Sequence, residues 1–172
     1  MAIVRNAKLP SAARSEALKS LAQNPPANFN KELTDLVKNK NPLVAATALE
    51  LAMTLDVPSS YRLVLQATSL RKPLLVRQKA WELTIGTGST MLQQHLASAV
   101  RDLAAGEGDK ECALEIITSA EVQKHSLVVQ ALAKYKASLD PKNPISPFLV
   151  ALHGGDSRKG ASLFASHGSA QC

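Results

Sequence analysis

Aromatic side chains are scarce in this chain. One Trp, two Tyr and three Phe make up 3% of its 172 residues. A core without them must be built from Leu, Val, Ile and Ala, and the abundance of Ala and Leu favours closely packed helices. Cysteine is scarcer still, with only Cys112 and Cys172. Two thiols make neither a disulfide framework nor a complete metal site. Cys112 falls within a helical pattern and is expected to be a small buried hydrophobe. Long apolar runs are missing as well. No stretch approaches the ~18 residues of a membrane span, and the opening "MAIVRNAK" has no apolar core of a signal peptide. The 45% apolar and 20% charged fractions fit one ordinary globular domain.

Catalytic signatures are also missing. No Gly-x-Ser-x-Gly elbow and no His-Glu-x-x-His occurs. "GTGST" (86–90) has neither a preceding strand nor the lysine of a phosphate loop, and reads as a helix stop followed by a cap. His95 and His125 are expected to be exposed polar residues on helices. Trp81 is expected in the core.

What is present is charge and a repeat. The net charge is +6, from 20 Lys and Arg against 14 Asp and Glu. The basic residues are scattered, so a solvated face is the simplest reading; a nucleic-acid or anionic-lipid partner is the alternative. The quartets "ALEL" (Ala48–Leu51), "AWEL" (Ala80–Leu83) and "ALEI" (Ala113–Ile116) start 32 and 33 residues apart, and Ala17-Leu18 lies 31 residues before the first. A period near 32 is a repeat signal. Asn41 and Pro42 can cap and start one helix, with Val44, Ala48, Leu51, Ala52 and Leu55 on one face. Pro73 is expected to play the part of Pro42, with Gly86 as the stop. Intervening helices group Leu33 with Leu36 and Val37. They also group Leu63 with Val64, Ala67 and Leu70, and Leu92 with Leu96, Ala99, Val100 and Leu103. Thr90 and Gly106 bracket the last of these. A final helix is expected over 122–137. Glu50, Glu82 and Glu115 recur at one repeat position, either as solvated residues facing the next repeat's Lys or Arg, or as a carboxylate ladder for cations or a basic peptide.

Paired helices at this period resemble a short HEAT-like repeat array over roughly residues 9–138. Armadillo and tetratricopeptide arrays are rivals, the latter fitting worse because its early Trp and Gly-x-x-Tyr are missing. The resemblance implies an all-α fold, a short α-solenoid of antiparallel helix pairs. Stacked pairs share a core that no single pair could bury.

Residues 140–153 contain Pro141, Pro144 and Pro147 and are expected to be a Pro-rich linker after a repeat domain over 1–139. Beyond it comes "GGDSRKGASLFASHGSAQC". Gly154, Gly155 and Asp156 make a turn, Asp156 or Ser157 can cap a helix, and Gly160 and Phe164 share a face beside Leu163. This run, with His167, Ala170, Gln171 and Cys172, resembles the opening of a c-type cytochrome domain. It is similar to the modules fused behind HEAT-like repeats in large secreted dehydrogenase/cytochrome c proteins of planctomycetes and related bacteria.

The resemblance implies that Gly160 and Phe164 pack a cytochrome-type first helix and that Cys172 is the first haem-attachment cysteine. It implies haem c, an oxidoreductase activity and a periplasmic or secreted location for the parent protein. The chain stops at Cys172, before a second thiol or an axial histidine. The fragment itself is therefore expected to hold no haem or metal and to be no enzyme. The expected role is a non-catalytic scaffold or interaction domain of an electron-transfer protein. Its partners would be modules of the same parent chain, or another protein on the concave face. The alternatives are a nucleic-acid-binding HEAT-like protein, the less favoured partner class, and a protein- or peptide-binding repeat module without a redox role.

Overall fold

The structure is a computed structural model that describes residues 1–154 and 157–168, with the side chains of 157–159 left aside. It is all-helical, with no strand among the described residues. The described residues form ten α-helices in order: α1 (Ala2–Arg5), α2 (Ser11–Gln23), α3 (Phe29–Leu36), α4 (Pro42–Thr54), α5 (Ser60–Ala67), α6 (Leu74–Glu82), α7 (Thr90–Ala104), α8 (Ala113–Glu121), α9 (Ser126–Ser138) and α10 (Ser157–Ser166). Short 3-10 helices cover Lys110–Cys112 and Ser146–Leu152.

The even-numbered helices pack in succession, α2 on α4, α4 on α6 and α6 on α8. The odd-numbered helices return the chain between them, and α7 packs extensively on α9. Side-chain bonds show that α6 and α8 run in the same direction, and one contact joins the first halves of α2 and α4. Ser15, early in α2, lies 2.6 Å from Thr47, early in α4. Ser119 Oγ, near the end of α8, donates to the Trp81 carbonyl at 2.9 Å, and Gln123 Nε2, just beyond α8, donates to the Thr84 carbonyl at 2.8 Å.

Helix α4 is the most enclosed element. The Asn41 side chain accepts from the amides of Leu43 and Val44, and Pro42 occupies the first helical position, as the sequence predicts. Its burial is wider than one stripe, because every residue from Val44 to Leu49 is buried. The cause is that α4 touches α2, α3, α5 and α6, and small alanines at 45, 46, 48 and 52 let these neighbours approach closely.

Several boundaries differ from the sequence expectation. Pro73 is the residue before α6 rather than its first residue, and α6 stops at Glu82, with Gly86 further along the turn at φ +68°. Ser89, not Thr90, caps α7. The end of α7 is as expected: Gly106 adopts φ +80°, and its amide and that of Glu107 close on the carbonyls of Leu103 and Asp102. Helix α5 ends at Ala67, and Leu70 beyond it is 69% exposed. Helix α9 begins at Ser126, not at 122, with the His125 ring accepting from the Leu127 amide.

The buried side chains form two clusters. One runs from Val4 through α2–α5 to Val76, Ala80 and Leu92. The other gathers Trp81, Leu96, Val100, Cys112, Ile116, Val128 and Tyr135.

Candidate functional site

Three polar constellations stand on the second cluster, all involving α6. The first is a buried guanidinium. Arg77 sits in the first turns of α6 with its side chain 6% exposed. Its Nη1 bonds Asp109, its Nη2 bonds Glu111 at 2.5 Å, and its Nε donates to the Lys72 carbonyl at 3.1 Å. Burial opposes the charge on Arg77, but the hydrogen bonds to Asp109 and Glu111 outweigh it and raise its pKa. The group therefore stays charged and ties the turn before α6 to the turn before α8. Arg14 does a similar job in α2, its Nε donating to the Val4 carbonyl at 2.8 Å. Sequence reasoning missed both. The available signal was that Pro10 and Pro73 each precede an arginine by four residues, at the same place in the repeat.

The second constellation joins α7 to Trp81. Trp81 is buried, as expected, and its indole lies under the His95 imidazole. His95 is not the exposed polar residue expected. Its ring is half-buried in a cleft of about 350 Å³ bordered by Thr68, Ser98 and Asp102, and its Nε2 lies 2.8 Å from Thr68 Oγ1. Burial lowers its pKa, with Asp102 acting in the opposite direction.

The third constellation lies between α6, α8 and the segment after Leu152. Gln78 Nε2 donates to Glu115 Oε1 at 2.7 Å and to the Gly154 carbonyl at 2.9 Å, beside a cleft of about 700 Å³. Burial pushes the Glu115 carboxyl up, partly offset by its own backbone amide and Gln78. The three repeat-position acids do not share one environment. Glu82 pairs with Lys79 of its own helix at 2.5 Å, Glu115 meets an amide rather than a cation, and Glu50 is half-buried. The reason is local geometry: Lys79 is one turn back on α6, within easier reach than any residue of the next pair.

Residues 140–153, expected as a linker, lie against the array. The 3-10 helix over Ser146–Leu152 packs on α8, Ser146 is buried, and Val150 joins the second cluster. Gly154 adopts φ +76°, and a Cβ there would come 1.7 Å from the Glu111 carbonyl oxygen.

Of the site residues predicted from sequence, Gly160 and Phe164 lie on α10, both exposed, with Phe164 at 65% and Leu163 at 62%. Gly155, Asp156, Ala170, Gln171 and Cys172 lie outside the described residues. The described residues do not assemble a haem-attachment site. Their one cysteine, Cys112, is fully buried, and burial together with Asp109 raises its thiol pKa, so it stays protonated. His167 is exposed. Among the described residues no group of three or more His, Cys, Asp and Glu could hold a metal, and no helix is long and apolar enough to cross a membrane.

No protein-family model, curated protein or solved structure matches this chain. What its polar groups do is join helix to helix.

Proposed function

We propose that this chain is a non-catalytic, HEAT-like helical-repeat scaffold from a multidomain c-type haem electron-transfer protein. In this reading the helix pairs form a short right-handed solenoid, and residues 154–172 begin a cytochrome c-like module. The array sets the separation between that module and a dehydrogenase-like one, or docks a partner on its concave face. Electron transfer, haem c and a periplasmic or secreted location belong to the parent protein.

The observation that carries the reading is α10. The run that resembles a cytochrome's first helix is helical over Ser157–Ser166 and leaves Gly160, Leu163 and Phe164 uncovered. A first helix whose module is incomplete has the same character: its apolar face lacks the helices that would bury it. The succession of α2, α4, α6 and α8 supports the repeat half of the reading.

The test is the coding sequence after Cys172. The next ~5 codons should complete Cys-x-x-Cys-His, and the extended protein should then show a covalent haem by its absorption spectrum after denaturation. A downstream sequence without that motif overturns the redox reading and favours a protein- or peptide-binding repeat module.

A further inference from the structure

The turns that precede α2, α4 and α6 share a chemical pattern. Lys8-Leu9-Pro10, Lys40-Asn41-Pro42 and Arg71-Lys72-Pro73 each place a cation two residues before a proline. The spacing between the cations follows the repeat, so the pattern belongs to the helix pair and not to overall composition. Lys38 and Lys72 add a second cation to the latter two turns.

Because α2 packs on α4 and the Ser15–Thr47 contact brings their first halves together, the turns before α2 and α4 share one edge, and the packing of α6 on α4 together with the repeat spacing assigns the turn before α6 to the same edge. Packed helices lie about 8–10 Å apart, so Lys8, Lys40 and Arg71 form a row on the order of 20 Å long. All three are exposed, and none of the five cations has an ion-pair partner among the described residues. The helices behind them add to the positive potential, since α2, α4 and α6 carry no acid in their first turns. Asp35, at the end of α3, is the acid closest in sequence to Lys38.

The turns are braced. The Lys8 amide donates to Asn6 Oδ1, the Asn41 amide to Asn39 Oδ1, and the Lys72 carbonyl accepts from Arg77. The fourth turn breaks the pattern. It carries Glu107, Asp109 and Glu111 around Lys110, and Asp109 and Glu111 are held by Arg77. The row is thus confined to the first three pairs.

We infer that this edge is a docking surface for an acidic, amphipathic segment of a partner protein. Charge complementarity gives the sign of the partner. The class follows from the leucines interleaved with the cations: Leu9 is 36% exposed beside Lys8, and Leu70 is 69% exposed beside Arg71. A phosphate backbone offers such leucines no contact, and no aromatic stands in the row to stack an unpaired base. A segment alternating carboxylates with apolar side chains satisfies both. The inference needs neither haem nor the C-terminal helix and stands apart from the redox reading.

The test is fluorescence anisotropy of the full chain with a labelled helical peptide carrying Glu and Leu on one face. Binding should weaken with salt. The triple variant Lys8→Glu, Lys40→Glu, Arg71→Glu should lose at least about tenfold in affinity. The control triple Lys124→Glu, Lys134→Glu, Lys142→Glu changes net charge equally and should stay within about twofold. Leu70→Ser should also weaken binding. Circular dichroism should show both triples folded. Equal losses in the two triples would make the effect one of net charge and overturn the inference. So would an absence of peptide binding, or tighter binding of duplex DNA or of anionic phospholipid vesicles than of the peptide.

Discussion

The imidazole of His95 lies flat against the indole of Trp81, with ring centroids 5.0 Å apart and planes 8° from parallel. The hydrogen-bond chain beside it fixes the tautomer. Thr68 Oγ1 donates to the Leu65 carbonyl at 2.8 Å, so it accepts from His95 Nε2. The proton that titrates is therefore the one on Nδ1.

This contact predicts an acid-sensitive signal. Burial lowers the His95 pKa below its ordinary 6.5, so the unfolded chain binds that proton more readily than the folded one. The stabilising contribution of neutral His95 is complete above about pH 6.5 and is lost as pH falls through the lower folded value. Denaturant melts from about pH 7.5 to about 5 should show this loss in the wild type and less of it in His95→Gln. Trp81 fluorescence should fall over the same range in the wild type, because a charged imidazolium stacks on the one indole of the chain, and should stay flat in His95→Gln.

Removing the Arg77 guanidinium should be costly. Asp109 is 8% exposed at its side chain and would be left as a buried, unpaired charge. Arg77→Met is expected to destabilise by about 3–5 kcal/mol. Arg77→Lys should fall between it and the wild type, since a lysine keeps the charge but cannot reach Asp109, Glu111 and the Lys72 carbonyl together. Urea melts of the two variants measure this order.

Gly154→Ala should release the C-terminal segment selectively. The added methyl has no room against Glu111, and the positive φ disfavours any side chain. The bond from Gln78 to the Gly154 carbonyl should be lost with it. Limited proteolysis should then cut residues 140–153 faster than in the wild type, while α2–α9 survive as one resistant core by mass spectrometry. Equal cleavage of both proteins would show that the segment is not held at this point.

Two leucines should behave in opposite ways. Leu96 is fully buried, and Leu96→Ala should cost about 2–5 kcal/mol. Leu70 lies at the same kind of helical spacing in the sequence, yet it is 69% exposed, and Leu70→Ala should change stability by less than about 0.5 kcal/mol.

Those two residues mark where the sequence was legible. Spacing identified α4, α7 and their buried faces, because long helices with Asn41 or Gly106 at an end carry local signals that tertiary contacts reinforce. The end of α5 was not legible. Leu70 continues the apolar spacing, but Thr68 turns its hydroxyl back to the Leu65 carbonyl and Pro73 forces extended backbone soon after. The start of α9 was hidden for a related reason: Gln123 is drawn to the Thr84 carbonyl, so 122–125 turn before the helix begins. In the site, Arg77 left a repeated trace four residues after a proline. His95 left none, because its partner Trp81 is on another helix and only packing brings the rings together.

The division of the apolar interior has a practical consequence. Val76 and Ala80 of α6 point into one cluster while Trp81 points into the other, and α7 is split between Leu92 and Leu96 in the same way. The tryptophan therefore stands as a resident reporter of the C-terminal half alone. An emission trace and an ellipticity trace taken during one melt sample different portions of the molecule, and any gap between their midpoints is a direct reading of how independently the two halves come apart.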